Sequence, residues 1–295
     1  MQSIERPELR SADARFASTL ARGLSILEAF RPGEASLGNA ELARRTGLSR
    51  QAVVRLTATL LDLGLLQRDA GGYRLGARLL TLAHPLLRRL SIRQAARPVL
   101  KELADYARGA VSLAMLDGLD IVFVETSLGT DPHPLSPDIG TSAPLLQTAA
   151  GRALLALLAP AERAVLFEAF RTQRLAVFSA FSETATREIA RAEAAGFSLS
   201  LGDYRPEVHA VAVPLGQAGT GERLALNCSI PLYRLKPGRA GGGDRASGRR
   251  RGQRHPRHHA HSGLSSTQQH ERHAHVRQRT RPAHPRLRRA ALHSC

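Results

Sequence analysis

An α+β protein with two folded parts is predicted. The first is a winged helix-turn-helix over residues 16–76, and the second is an antiparallel sheet with helices packed on it over residues 93–235. Three observations carry this. Apolar residues recur at helical spacing in three successive segments before residue 64, and a hairpin pattern follows at once. Strand-like alternation and helical periodicity then interleave as far as Leu235. Beyond Leu235 the apolar residues nearly stop. The chain has 295 residues, enough for two ordinary domains, and 43% of them are apolar. Trp is absent and aromatics are 4%, which favours helices filled with Leu and Ala.

Residues 1–15 are polar and are expected to be disordered. Phe16, Leu20, Leu24, Leu27 and Phe30 make the inward stripe of a first helix, which Arg31-Pro32-Gly33 stops. Ala40–Thr46 reads as a short second helix, with Asn39 as N-cap and Gly47 past its end. A third follows Ser49 as N-cap and runs to about Leu63, its inward face being Val53, Leu56, Leu60 and Leu63. Leu65–Arg68 and Gly72–Leu75 are strands joined by the turn Asp69-Ala70-Gly71. Residues 77–92 read as a linker helix kinked at Pro85.

The second part begins with a helix at Gln94–Arg108. Val111, Leu113 and Met115 alternate as a strand, Asp117-Gly118 turns, and Ile121–Glu125 returns. Helices are expected near Thr148–Leu158, after Pro160, and over Glu183–Ala195 with Gly196 as C-cap. Strands at Phe197–Leu201, His209–Pro214 and Arg223–Ile230 complete it.

The net charge of +17 is unevenly placed. Residues 236–295 carry +13 of it, with nine of the twelve His, and residues 1–235 carry only +4. So poor in apolar residues, the tail cannot offset its ordering entropy and is expected to be disordered. Arg, His, Gly, Ser and Pro are also what a GC-rich gene yields out of frame, so the tail reads as a frameshift product; an evolved basic arm is the alternative. On that alternative the chain would bind nucleic acid non-specifically, or metal through His255, His258, His259 and His261. No run of 18 uncharged apolar residues and no secretory signal occur, and Cys228 and Cys295 form no CxxC pair. A cytoplasmic location without membrane contact is expected.

Asn39 to Leu56 has the logic of a helix-turn-helix. Ala43 permits close helix crossing, Gly47 turns the chain, and Leu48 plugs the core. The next helix then turns Arg50, Gln51, Val54 and Arg55 outward, where they can reach bases in the major groove of duplex DNA. Ser49 and the helix N-terminus suit a phosphate, and Arg68 and Arg74 on the hairpin suit the backbone.

These residues, with Leu20-Ala21-Arg22-Gly23-Leu24-Ser25-Ile26-Leu27, Gly72-Tyr73-Arg74-Leu75-Gly76, Ala150-Gly151-Arg152-Ala153-Leu154-Leu155-Ala156, Val211-Ala212-Val213-Pro214 and Leu224-Ala225-Leu226-Asn227-Cys228-Ser229, resemble the IclR family of transcription regulators over residues 16–235. Ser18-Thr19-Leu20-Ala21-Arg22-Gly23 and Ala225-Leu226-Asn227 are similar to its branch controlling aromatic-acid catabolism. The resemblance implies a GAF-like effector domain, with a small organic acid between the sheet and a helix starting near Gln147. The matching positions are Ala143, Ala149, Ala150, Ala210, Asn227 and Ser229. Helix N-terminal amides favour a carboxylate, and Asn227 and Ser229 alternate onto one strand face. A homodimer through the N-terminal domains, or a homotetramer through the ligand domains, is implied likewise.

No Walker loop, HExxH or GxSxG is present, and Gly216, Gly219 and Gly221 fit a hairpin turn rather than a dinucleotide fingerprint. Cys228 suits a buried strand, and His133 and His209 suit the surface. The expectation is therefore no enzyme, no cofactor and no metal centre.

Overall fold

Gly47 and Ser49 set the first part. Gly47 adopts a left-handed φ of 69° and ends helix α2 (Asn39–Thr46), its N–H reaching the Ala43 carbonyl. Two residues on, the Ser49 hydroxyl accepts from the Ala52 N–H at 3.2 Å and caps α3 (Arg50–Asp62). Before them runs α1 (Ser18–Glu28); after them come β1 (Leu66–Asp69), β2 (Gly72–Leu75) and α4 (Arg78–Arg89), which continues through Pro85. Ile26, Leu42, Val53, Leu60, Leu66 and Tyr73 form the core. Leu37 joins it, pairing with Tyr73 in both directions at 2.9 Å and so tying the hairpin to the loop before α2. A Cβ on Gly72 would lie 2.3 Å from the Leu37 carbonyl, which explains the glycine there.

The structure, a computed structural model, describes residues 16–217 and 221–235. The expected disordered N-terminus (1–15), and the tail (236–295) with its nucleic-acid and metal alternatives, lie outside the described residues.

Three expectations for this part are corrected. Only the C-terminal half of α1 reaches the core, so Ile26 is buried while Phe16, Leu20 and Leu24 are exposed. Asn39 is the first residue of α2, not its cap; the bridge at Leu37 holds the chain extended up to Gly38, which is the N-cap. Leu63 is exposed, and Thr57 takes an inward place on α3. The Thr57 hydroxyl is satisfied by the Val53 carbonyl at 2.9 Å.

A second unit begins at Ile92. Helix α5 (Ile92–Ala107) leads into a six-stranded antiparallel sheet of order β5-β4-β3-β8-β7-β6. Its strands are β3 (Ala110–Asp117), β4 (Asp120–Leu128), β5 (Ser142–Pro144), β6 (Ser198–Leu201), β7 (Val208–Gln217) and β8 (Arg223–Pro231). Between β5 and β6 lie α6 (Ala149–Ala156), α7 (Pro160–Gln173) and α8 (Leu175–Ala195). The three-residue β5 was not expected. Helix α8 starts at Leu175 instead of Glu183, because Val177, Phe178 and Phe181 continue the stripe of Ala185, Ile189 and Ala192.

The two sheet faces differ. Ala114, Ala212 and Ala225 face α6 and α8 in the main core. The opposite face packs on α5, where Glu125, in register with Leu113, pairs with Arg93 at 3.0 Å and Arg97 at 3.2 Å. The sheet is strongly curled. Six flat strands would hold their outer members about 24 Å apart. Yet Pro144, paired with Asp120 at one edge, is followed by Gln147 and Ala149, whose carbonyls accept from Ser200 and Ser198 at the other, both on β6. Residues 144–147 span at most about 10 Å. The edges therefore bend toward each other around α6.

Candidate functional site

Two surfaces collect the residues singled out by the sequence. On α3, Arg50, Gln51, Val54, Arg55 and Ala58 are exposed on one side while Val53, Thr57 and Leu60 face the core. Ser49 is exposed at the start of the same helix. Arg68 and Arg74 are exposed on the hairpin but on opposite faces of it. Arg68 is in register with Tyr73, Arg74 with Gln67.

An ion-pair clamp that the sequence did not disclose fixes this unit. Arg45 on α2 binds the Ala29 carbonyl at the end of α1, Glu34 in the following loop, and Glu41 one turn earlier, all within 2.9 Å. Arg44 also holds Glu41. The Arg45 hydrogen bonds, aided by the Arg31 N–H, lower the Glu34 pKa to about 2; Arg44 and then Arg45 lower that of Glu41 to about 2. Both carboxyls are more acidic folded than unfolded. Their stabilisation is complete above about pH 4.5 and disappears as the pH falls toward 2. Glu34→Gln is expected to lower the melting temperature at pH 7 and to shrink the loss seen between pH 4.5 and 2. A pH-dependent melting series on the full chain checks this; a variant profile matching the parent's would exclude the clamp.

The second surface is the concave side of the curled sheet. Thr148 caps α6, its hydroxyl accepting from Gly151 N–H at 3.1 Å, and the Thr148 carbonyl accepts from Arg152 N–H at 3.2 Å. That leaves the first-turn amides of Ala149 and Ala150 for an anion. Ala143, Ala149 and Ala150 are buried in one cluster, with Ala210 packed against it. Asn227, 4% exposed, and half-buried Ser229 share the face of Ala225, toward α6. The register places Asn227 opposite Ala212, and Ala212 opposite Ser198, whose hydroxyl binds the Ala149 carbonyl at 2.7 Å. The fold thus brings all six expected pocket positions to the concave side.

Arg152, read from the sequence only as part of a motif, is 1% exposed. It donates to the Leu146 carbonyl at 2.9 Å and to the Leu199 carbonyl, and pairs with Asp203 at 2.7 Å. It therefore pins the start of α6 to β6 and the loop beyond. Cys228 points away from this surface and is buried. Among the described residues no group of three or more His, Cys, Asp or Glu could hold a metal ion, and no helix is long and apolar enough to cross a membrane.

Comparison with known proteins matches both parts of the chain. Residues 19–70 match the IclR helix-turn-helix domain, and residues 84–241, more than half of the chain, match the C-terminal domain of bacterial transcriptional regulators of the IclR type. The chain is 36% identical over 170 residues to the HTH-type transcriptional regulator TsaQ1/TsaQ2 of Comamonas testosteroni, covering 56% of this chain and 61% of that one. It is 30% identical over 234 residues to the Pca regulon regulatory protein of Pseudomonas putida, covering 78% and 80%. Among solved structures, an IclR family transcriptional regulator from Brucella abortus is 37% identical with a TM-score of 0.63, over 75% of this chain and 84% of that one. An IclR homologue from Microbacterium hydrocarbonoxydans, solved with 4-hydroxybenzoate, is 24% identical with a TM-score of 0.60, over 74% and 91%, and shares the fold. By these matches the chain belongs to the IclR family of transcription regulators.

Proposed function

We propose that α3 reads an operator in the major groove through Arg50, Gln51, Val54 and Arg55, while Ser49, Arg68 and Arg74 hold phosphates. One observation carries this. The exposed side of α3 is polar and basic, and it begins at a capped N-terminus presented by a sharp turn. Because Arg68 and Arg74 lie on opposite hairpin faces, they meet different phosphates. A small organic acid is held on the concave sheet face, its carboxylate at the amides of Ala149 and Ala150 and its body over Ala210, Asn227 and Ser229. Ala143 closes the far side. Two copies pair through the exposed stripe of Leu20 and Leu24 on α1 with Phe16 just before it, an apolar surface that the unit itself leaves open. The regulator works in the cytoplasm and needs no catalysis.

Arg55→Ala is expected to weaken operator binding by about 1–3 kcal/mol, the value of one bidentate base contact. The melting of the effector domain should stay unchanged. Footprinting at parental protein concentration checks it; an intact footprint would remove Arg55 from the contact set.

A further inference from the structure

One transverse row of the concave face is polar where a core would be apolar. Register places Thr126, Ser112, Asn227, Ala212 and Ser198 side by side across β4, β3, β8, β7 and β6. Ser112 and Ser198 are fully buried, and Asn227 nearly so. The next row along the strands, Phe123, Ala114, Ala225 and Pro214, includes three buried core residues. Ser198 is spoken for by the Ala149 carbonyl. Ser112 and Thr126 instead bond each other at 2.9 Å, and either can be the donor. Two hydroxyls joined by a single hydrogen bond keep one further hydrogen and several lone pairs. Such a pair can give to, or take from, a third polar group without rearranging.

Ser112 is fully buried and Thr126 half-buried, and their mutual hydrogen bond satisfies both while leaving capacity for a third polar group beside Asn227. Adjacent strands are about 4.8 Å apart, which puts Thr126 roughly 10 Å from Asn227, with Ser112 between them. The anion-binding amides of α6 lie at the other end of the row, above Ser198. Between the two poles the floor is Ala212, with Ala210 in the row on its other side, opposite Ser229. Small side chains there would let a flat apolar body approach the strands closely.

We propose that Ser112 and Thr126 read a hydroxyl at the end of the effector remote from its carboxylate, so that this regulator answers to hydroxylated acids and discriminates against the unsubstituted ones. The inference rests on the reading that the acid's carboxylate lies at the start of α6. Neither residue matched the family positions, and the pairing is invisible in sequence, where they are 14 residues apart.

Calorimetry on the full chain with two matched pairs, benzoate against 4-hydroxybenzoate and butyrate against 4-hydroxybutyrate, tests it. The parent should favour the hydroxylated member of at least one pair by about tenfold or more, the worth of a well-made hydrogen bond in a desolvated site. Thr126→Val, which keeps shape and drops the hydroxyl, should bring that ratio near one and change affinity for the unsubstituted acid less than about twofold. Ser112→Ala should do the same, and both should melt cooperatively. If the parent binds both members of each pair equally, or if the preference survives in both variants, the hydroxyl is read elsewhere and the inference fails alone. If the parent binds none of the four acids at millimolar concentration, the carboxylate site fails and the inference with it.

Discussion

Glu125→Ala is expected to cost the effector domain about 3–5 kcal/mol, because it strands the Arg93 guanidinium without its carboxylate. The side chains of Glu125 and Arg93 are 4% and 9% exposed, so water cannot replace the lost partner. Arg97, with a side chain 56% exposed, adds little by itself. At roughly 2–4 °C per kcal/mol for a domain of this size, the melting temperature should fall by about 10 °C. Removing both charges tells a different story. Glu125→Leu with Arg93→Met replaces a buried pair by apolar groups of similar bulk and should recover most of the loss. Thermal melting of parent, single and double variants checks this, and a single variant that melts with the parent would show the pair to be idle.

Gly151→Ala should be nearly as damaging, through space rather than charge. A Cβ there would sit 2.0 Å from the Leu145 carbonyl oxygen and 2.7 Å from its carbon. The three nearest atoms are all Leu145 backbone, with no flexible atom to yield, so α6 must move off the β5 end. The cost belongs at the upper end of the ~1–3 kcal/mol typical of overpacking. The same movement carries away the amides of Ala149 and Ala150. Melting and calorimetry with 4-hydroxybenzoate should therefore decline together, while footprinting of the operator without ligand stays parental. A stable Gly151→Ala protein with undiminished affinity for the acid would place the carboxylate elsewhere.

What could be read from the sequence was what is local. Gly47 and Ser49 declare a turn and a cap within three residues, and the helices and main strands followed from periodicity, as did the α+β class. Motif order gave the IclR family. The misplaced details share one cause. The spacing of Phe16, Leu20 and Leu24 announces an apolar stripe but not whether the unit covers it, and α1 turned out to bury its other side at Ile26. Three residues of β5 are too few for alternation to show. The Arg45 clamp, the Leu37 bridge and the Ser112–Thr126 pair depend on how distant segments meet, and a single chain carries no local mark of that.

Chain order in the curled sheet has a consequence for folding. Strand β3 pairs on one side with β4, its immediate successor, and on the other with β8, more than a hundred residues later. The β3–β4 and β7–β8 hairpins are quick, local structures, but joining them means closing one very long loop. Until that happens β3 offers an open edge and the concave face does not exist. If the concave face holds the effector as proposed, ligand-binding competence is expected to arrive in one late step, with the last strand of the sheet. A small acid bound there would stabilise the longest-range contact in the domain, acting as a fastener on its slowest seam.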